Sequence, residues 1–292
     1  MKEIREVASA LLSGGQVDWV LGYEEDAKGL VKPAFITDPA QAARLIFDPR
    51  CVHNLAVYLL PGRRHVRALG RGALVVKACD ARAVAGLLRE HQLQRDELVL
   101  IGVRCGGVRQ DPGPDAVLNE ESVAARCALC PERTPQRVDH LVGPELPPPP
   151  AGNRDLLREI AELEALTSEA RFAFWSKHFS RCVRCHACRQ VCPLCNCTRC
   201  IADKSQPQFI EAAPHLRGNL AWNITRALHL AGRCVGCGEC ERACPVDIPL
   251  ALINAKLSHF MHERYAHEAS EDPEQPSPIG DFRSDDDQEF IR

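Results

Sequence analysis

The chain has 292 residues, a formal net charge of −3, 45% hydrophobic residues and 5% aromatic ones. That length suits about one to three domains, with cores built from Leu, Val, Ala and Ile rather than from rings. The weakly acidic balance argues against nucleic-acid binding. No run approaches the ~18 apolar residues of a membrane span, and Met1-Lys2-Glu3-Ile4-Arg5-Glu6 lacks a signal peptide's apolar stretch, so a cytoplasmic protein is expected.

Residues 1–146 read as an α/β domain. Gln16-Val17-Asp18-Trp19-Val20-Leu21 predicts a strand, and Ser13-Gly14-Gly15 before it reads as a turn that could also meet a phosphate. Gly72 to Cys79 predicts a second strand. Asp80 then serves as the expected N-cap of a helix over 81–91, and Glu97 to Val103 predicts a third strand. Strand, helix and strand in this order make a parallel, right-handed βαβ unit. Arg63, Arg64, Arg67 and Arg71 form a basic run, read as a solvated face or an anion contact. Leu146 and Pro147 to Pro150 mark a linker over 147–152.

Residues 153–266 read as a helical, ferredoxin-like domain. Leu156, Leu157, Ile160, Leu163 and Leu166 predict one helix over about 153–179. Pro249 can open a last helix with Leu250, Ile253, Leu257 and Phe260 on one face. From Glu268 onward nine acidic residues meet two basic ones and three prolines, so 267–292 is expected to be a disordered acidic tail.

The deciding feature is cysteine. Eleven of the 16 lie between Cys182 and Cys244, a distribution that suits metal ligation rather than a disulfide scaffold. Cys182, Cys185, Cys188 and Cys192, followed by Pro193, have the spacing C-x-x-C-x-x-C-x-x-x-C-P. Cys234, Cys237, Cys240 and Cys244, followed by Pro245, repeat it. This is the signature of a bacterial two-cluster ferredoxin, in which the fourth cysteine of each motif ligates the other cluster. Cluster I is therefore assigned to Cys182, Cys185, Cys188 and Cys244, and cluster II to Cys234, Cys237, Cys240 and Cys192. A pair of zinc sites has little use for the third cysteine or the twice-repeated Cys-Pro. Gly236 and Gly238 suit a chain that turns tightly around a cluster. Arg181, Arg184 and Arg189 flank the first motif, whereas Glu239 and Glu241, partly offset by Arg233 and Arg242, flank the second; cluster I should then have the higher potential, the alternative being solvated charges with little effect.

Cys79 and Cys105 each follow a predicted strand and so reach the same edge of a parallel sheet. With Cys127 and Cys130 they could hold a third [4Fe-4S] cluster; the alternative is two core thiols and an unrelated knuckle. Cys195, Cys197 and Cys200 extend the first motif. They could supply a fourth cluster, with Cys51 or His186 as a further ligand, or act as accessory thiols. His178, His186, His215 and His229 are scattered, and no Ser/His/Asp constellation, P-loop or G-x-G-x-x-G is present.

Several of these stretches together are familiar. Gly15-Gln16-Val17-Asp18, Val76-Lys77-Ala78-Cys79-Asp80, Ile101 to Val108, Cys127-Ala128-Leu129-Cys130 and the Cys182 to Cys200 segment resemble the beta-subunit family of deazaflavin-coenzyme hydrogenases and formate dehydrogenases. Related chains accompany heterodisulfide-reductase-like complexes. The resemblance implies an iron–sulfur electron-transfer subunit that works beside a hydrogenase, formate dehydrogenase or heterodisulfide-reductase-like partner. It would exchange electrons with a flavin such as FAD or with a soluble carrier. Ser13, Gly14, Gly15, Lys77 and Asp80 are the candidate cofactor contacts on that reading.

Overall fold

A computed structural model describes residues 2–280 and residue 284. The elements in chain order are α1 (Lys2–Ser13), β1 (Trp19–Glu25), β2 (Val31–Ile36), β3 (Leu45–Ile46), α2 (Arg64–Arg67), β4 (Gly72–Val76), α3 (Ala78–Arg89), β5 (Leu98–Val103) and β6 (His140–Val142). After them come α4 (Leu156–Glu164), α5 (Ser168–Ser180), α6 (Ala187–Gln190), α7 (Leu216–His229), α8 (Glu239–Arg242) and α9 (Leu250–Tyr265). The strands form one mixed sheet in the order β2-β1-β4-β5-β6, with β3 paired to the far end of β1. Strands β1, β4, β5 and β6 run parallel, whereas β2 and β3 lie antiparallel to β1.

The predicted βαβ unit is present as β4-α3-β5, with Gly72 opposite Leu98 and Val76 opposite Gly102. Every residue of both strands is buried, as expected of strands covered on both faces. Gly72 is required because a Cβ there would lie 2.0 Å from the Trp19 ring. The first strand begins later than its apolar run suggests and continues through Glu24 and Glu25. Ion pairs to Lys32 and Arg50 neutralise those carboxylates on the antiparallel side.

Three local expectations need correction. First, α1 carries Ile4, Ala8 and Leu11 on its buried side, a helical spacing masked by the charges between them. Ser13, Gly14 and Gly15 finish this helix: the Gly14 amide donates to Ala10 O at 2.9 Å, and Gly15 takes φ +63°. A helix C-terminus presents carbonyls rather than amides, so it repels a phosphate. The segment also precedes β1, at the sheet edge opposite to Cys79 and Cys105. It is thus the end of a helix, not the free-standing turn expected from the sequence.

Second, α3 begins at Ala78, so Asp80 sits in its first turn rather than capping it. Its carboxylate accepts from the amides of Lys77 (2.8 Å) and Leu55 (2.9 Å) and pairs with Lys77 Nζ at 3.0 Å. Third, the single helix predicted over 153–179 is two. Thr167 accepts from Ala170 N at 3.2 Å and starts α5 afresh. On α9 the buried side is set by Leu250, Leu252 and Met261, and Phe260 is exposed. Leu252 packs with Leu156 and Ile160 of α4, which rotates the helix away from the predicted face.

The beginning of the acidic tail is not free. Glu271 is buried and accepts from the amides of Gln136 and Arg137 at 2.8 Å each. Arg89 donates to Asp272 O at 2.7 Å, and the His267 ring meets Gly232 O at 2.7 Å. Residues 267–280 thereby tie the cysteine-rich half to the α/β domain. The expectation for 281–292 lies outside the described residues, apart from residue 284. No helix among the described residues is long and apolar enough to cross a membrane.

Asp80 is fully buried against Lys77. Removing one partner leaves an uncompensated buried charge, so Asp80→Ala should cost about 3–5 kcal/mol. A urea midpoint equal to that of the wild type would contradict this.

Candidate iron–sulfur centres

The two ferredoxin-type motifs share one backbone path. Arg184 (φ +57°) and His186 (φ +59°) take left-handed conformations in the first, exactly where Gly236 and Gly238 (both +66°) do in the second. Each path leads into a one-turn helix, α6 or α8, that carries the third cysteine. Glycine adopts this conformation at no steric cost, whereas Arg and His require support. Arg184 obtains it by donating to Gly218 O at 2.8 Å and lying over the Trp222 ring. His186 meets the same ring edge-on at 4.6 Å.

The thiols of the two motifs lie close together in space, Cys188 beside Cys240 among others. Cys188 lies within electrostatic reach of Cys182 and Cys244. Cys234, Cys237 and Cys240 all neighbour Cys192. Backbone and side-chain donors point at these sulfurs: Ile248 N to Cys244 Sγ at 3.4 Å and Asn254 Nδ2 to Cys240 Sγ at 3.3 Å. Burial pushes the Cys188 thiol up to about 11 and Cys234 to about 12. Thiols held neutral by burial become ligands only when a bound cation offsets the cost of deprotonation.

The fold also gathers the third group. Cys79 comes from the first turn of α3, Cys105 from the end of β5, and Cys127 and Cys130 from the following loop. Cys79 neighbours Cys130, and Cys105 neighbours both Cys127 and Cys130. Val108 N donates to Cys127 Sγ at 3.3 Å and Arg82 Nη2 to Cys130 Sγ at 3.7 Å. These four thiols line a cavity of about 350 Å³ together with Cys192, Cys234, Cys237 and Cys240. Among the described residues no three His, Cys, Asp or Glu side chains converge on a point suited to a single metal ion.

Buried arginines test whether clusters fit. Arg82, Arg184 and Arg226 are each 4–8% exposed. Each has at least one guanidinium nitrogen without a hydrogen-bond partner: Arg82 Nη1, Arg184 Nε and Nη2, and Arg226 Nε. Each faces thiols: Arg82 faces Cys79 and Cys130, Arg184 faces Cys182 and Cys188, and Arg226 faces Cys188, Cys192 and Cys240. Buried charge requires a counter-charge. An iron–sulfur cluster with four thiolates is an anion and supplies one at each of these places, so the residues present fit the group. Sequence reasoning missed Arg82 and Arg226 because neither lies in a cysteine motif.

The remaining predicted residues divide. Lys77 lines the large cavity, with its ammonium bonded to Tyr23 Oη and to His53 O at 2.7 Å. Asp80 does not line that cavity; it holds Lys77, the helix turn and the Leu55 amide. Cys195, Cys197 and Cys200 line a separate cavity of about 240 Å³ with Arg189, Asp203 and His229; neither Cys51 nor His186 lines it. Cys51 is instead a core thiol, pushed up to about 12 by burial. The Cys195 thiol lies beside that of Cys192, and the Cys195 amide donates to Cys192 O at 3.3 Å.

Comparison with known proteins agrees with this geometry. Residues 178–248 match the family model of the 4Fe-4S dicluster domain. Over 80 residues the chain is 42% identical to the F420-dependent formate dehydrogenase subunit beta of Methanocaldococcus jannaschii, a match covering 27% of this chain and 20% of that protein. Over 108 residues it is 25% identical to the F420-dependent formate dehydrogenase 1 subunit beta of Methanococcus maripaludis, covering 36% and 27%. The matches thus span about a fifth to a quarter of these relatives' lengths. Residues 178–248 thus match a 4Fe-4S dicluster domain, and parts of the chain are similar to beta subunits of F420-dependent formate dehydrogenases.

Proposed function

We propose that the chain is an electron-transfer subunit of a larger oxidoreductase and holds three [4Fe-4S] clusters in a row. Cluster I takes Cys182, Cys185, Cys188 and Cys244; cluster II takes Cys192, Cys234, Cys237 and Cys240; the third takes Cys79, Cys105, Cys127 and Cys130. One observation carries the reading: the second and third thiol groups line one cavity, while Cys188 of the first neighbours Cys240 of the second. When bound, such clusters supply one-electron transfer with little structural change.

The chain's own residues order the relay. Cys185 is exposed beside the exposed Val183, which makes the first group the port to solvent or a partner. The second is enclosed by Val235, Leu194 and Leu230, and the third lies under the sheet edge. Arg126 bridges the second and third groups: it neighbours Cys237, Cys127 and Cys79, and pairs with Glu239 at 3.3 Å. The partners suggested by the relatives are a formate dehydrogenase, hydrogenase or heterodisulfide-reductase-like catalytic subunit, with a flavin such as FAD or a soluble carrier at the other end.

Protein purified without air should contain about 12 iron and 12 sulfide per chain. Cys244→Ser and Cys185→Ser should abolish the same dithionite-reduced EPR signal, because the fourth cysteine crosses between motifs. If Cys244→Ser instead removes the signal lost in Cys237→Ser, the exchanged ligation is wrong.

The structure also sharpens the order of potentials. Arg184 faces the first group without a carboxylate partner among the described residues. The acid beside the second group, Glu239, is held down to about 2: burial raises it, but His53, Arg242 and Arg126 more than offset that. Glu239 therefore remains an anion close to Cys237, and cluster I should have the higher potential. Redox-titrated EPR placing cluster I lower would refute the ordering.

A further inference from the structure

Arg226 lies on the inner part of α7, 4% exposed, between the first two thiol groups. Its Nη2 donates to Cys188 O at 3.0 Å, and its guanidinium lies within electrostatic reach of Cys240. Cys188 belongs to the first group and Cys240 to the second. The side chain lines both cavities, the large one beside Cys192 and Cys234 and the smaller one beside Cys195 and Cys200. Its Nε has no partner. Among the described residues no carboxylate pairs with it; its ionisable neighbours are the thiols of Cys240, Cys192, Cys188 and Cys195.

Among the described residues Arg82 and Arg184 also lack an ion pair, but each faces a single thiol group, whereas Arg226 faces two. Several other cations near the thiols are paired with carboxylates. Arg189 is neutralised by Asp203 at 2.8 Å, Arg233 by Glu90, and Arg126 and Arg242 by Glu239. Arg154 is shared between Glu159 and Glu241. A buried guanidinium without a carboxylate cannot be deprotonated and must be balanced by whatever its neighbours carry.

We infer that Arg226 is a positioning residue shared by clusters I and II, a single fixed positive charge that raises both of their reduction potentials together. The inference rests on the proposed cluster assignment. Adding an electron to either cluster makes it more negative, and a cation at the boundary favours the reduced form on both sides. Because the shift is shared, it moves both centres without widening the gap between them.

The test is redox-titrated EPR on anaerobically purified full-length chain, with iron and sulfide counted in each sample. In Arg226→Gln both cluster potentials should fall, each by at least tenfold in the reduction equilibrium, about 59 mV for one electron. The third centre should stay where it is. Arg226→Lys keeps the charge and should hold both potentials within threefold of wild type. Loaded Arg226→Gln with unmoved potentials, or with only one moved, overturns the inference. If Arg226→Gln fails to load, Arg226→Lys decides: retained potentials support the charge, and a tenfold fall in both overturns it. A wild-type chain without iron or sulfide would overturn the cluster reading itself, and this inference with it.

Discussion

The structure is organised by the need to balance positive charge placed inside the protein. Arg82, Arg184 and Arg226 are buried with guanidinium nitrogens left unpartnered by the protein itself. A cation in such a place is strongly unfavourable unless an anion lies beside it. Each faces cysteines from a different combination of motifs. Metal-bound thiolates resolve the problem on both sides: the arginines gain a counter-charge, and thiols that burial would otherwise keep protonated become ligands. Cluster binding and folding of this half of the chain are consequently one free-energy problem.

The α/β domain is the rigid support for the innermost group. Because β4 and β5 run parallel in fixed register, the chain segments leaving them emerge at one edge, and Cys79 and Cys105 arrive there together. Lys77, Tyr23 and Asp80 lock the same corner from below, with Asp80 tying α3 to Leu55. The helical half is fastened to this support by Glu271, Asp272 and His267, which lie beyond the last helix and reach back to residues 136, 137, 89 and 232. Without that return, the cavity that joins the second and third thiol groups would have no wall on one side.

The repeated motifs illustrate how one backbone geometry is reached by different chemistry. Gly236 and Gly238 accept left-handed φ values through lack of a Cβ, whereas Arg184 and His186 accept them because Trp222 and Gly218 O hold their side chains. The glycines announce the turn in sequence; the arginine and histidine do not. The same asymmetry explains why the helix over 153–179 was predicted unbroken. Its apolar spacing continues across Leu166, but Thr167 offers the backbone a side-chain acceptor that restarts the helix.

The cysteine spacing alone pointed to the class of cofactor, because the wrap around a cluster is a local property of three residues per step. The buried β4-α3-β5 unit was equally legible, since its strands are continuous apolar runs. Tertiary structure alone decided that Cys79, Cys105, Cys127 and Cys130 line one cavity, that Cys195 lies beside Cys192, and that Ser13 to Gly15 finish a helix at the opposite edge. It also decided that Arg226, far from any motif, stands between two of the groups. The physical reason is range: a turn is specified by adjacent residues, whereas a buried charge finds its partners across distances in sequence that only packing can close.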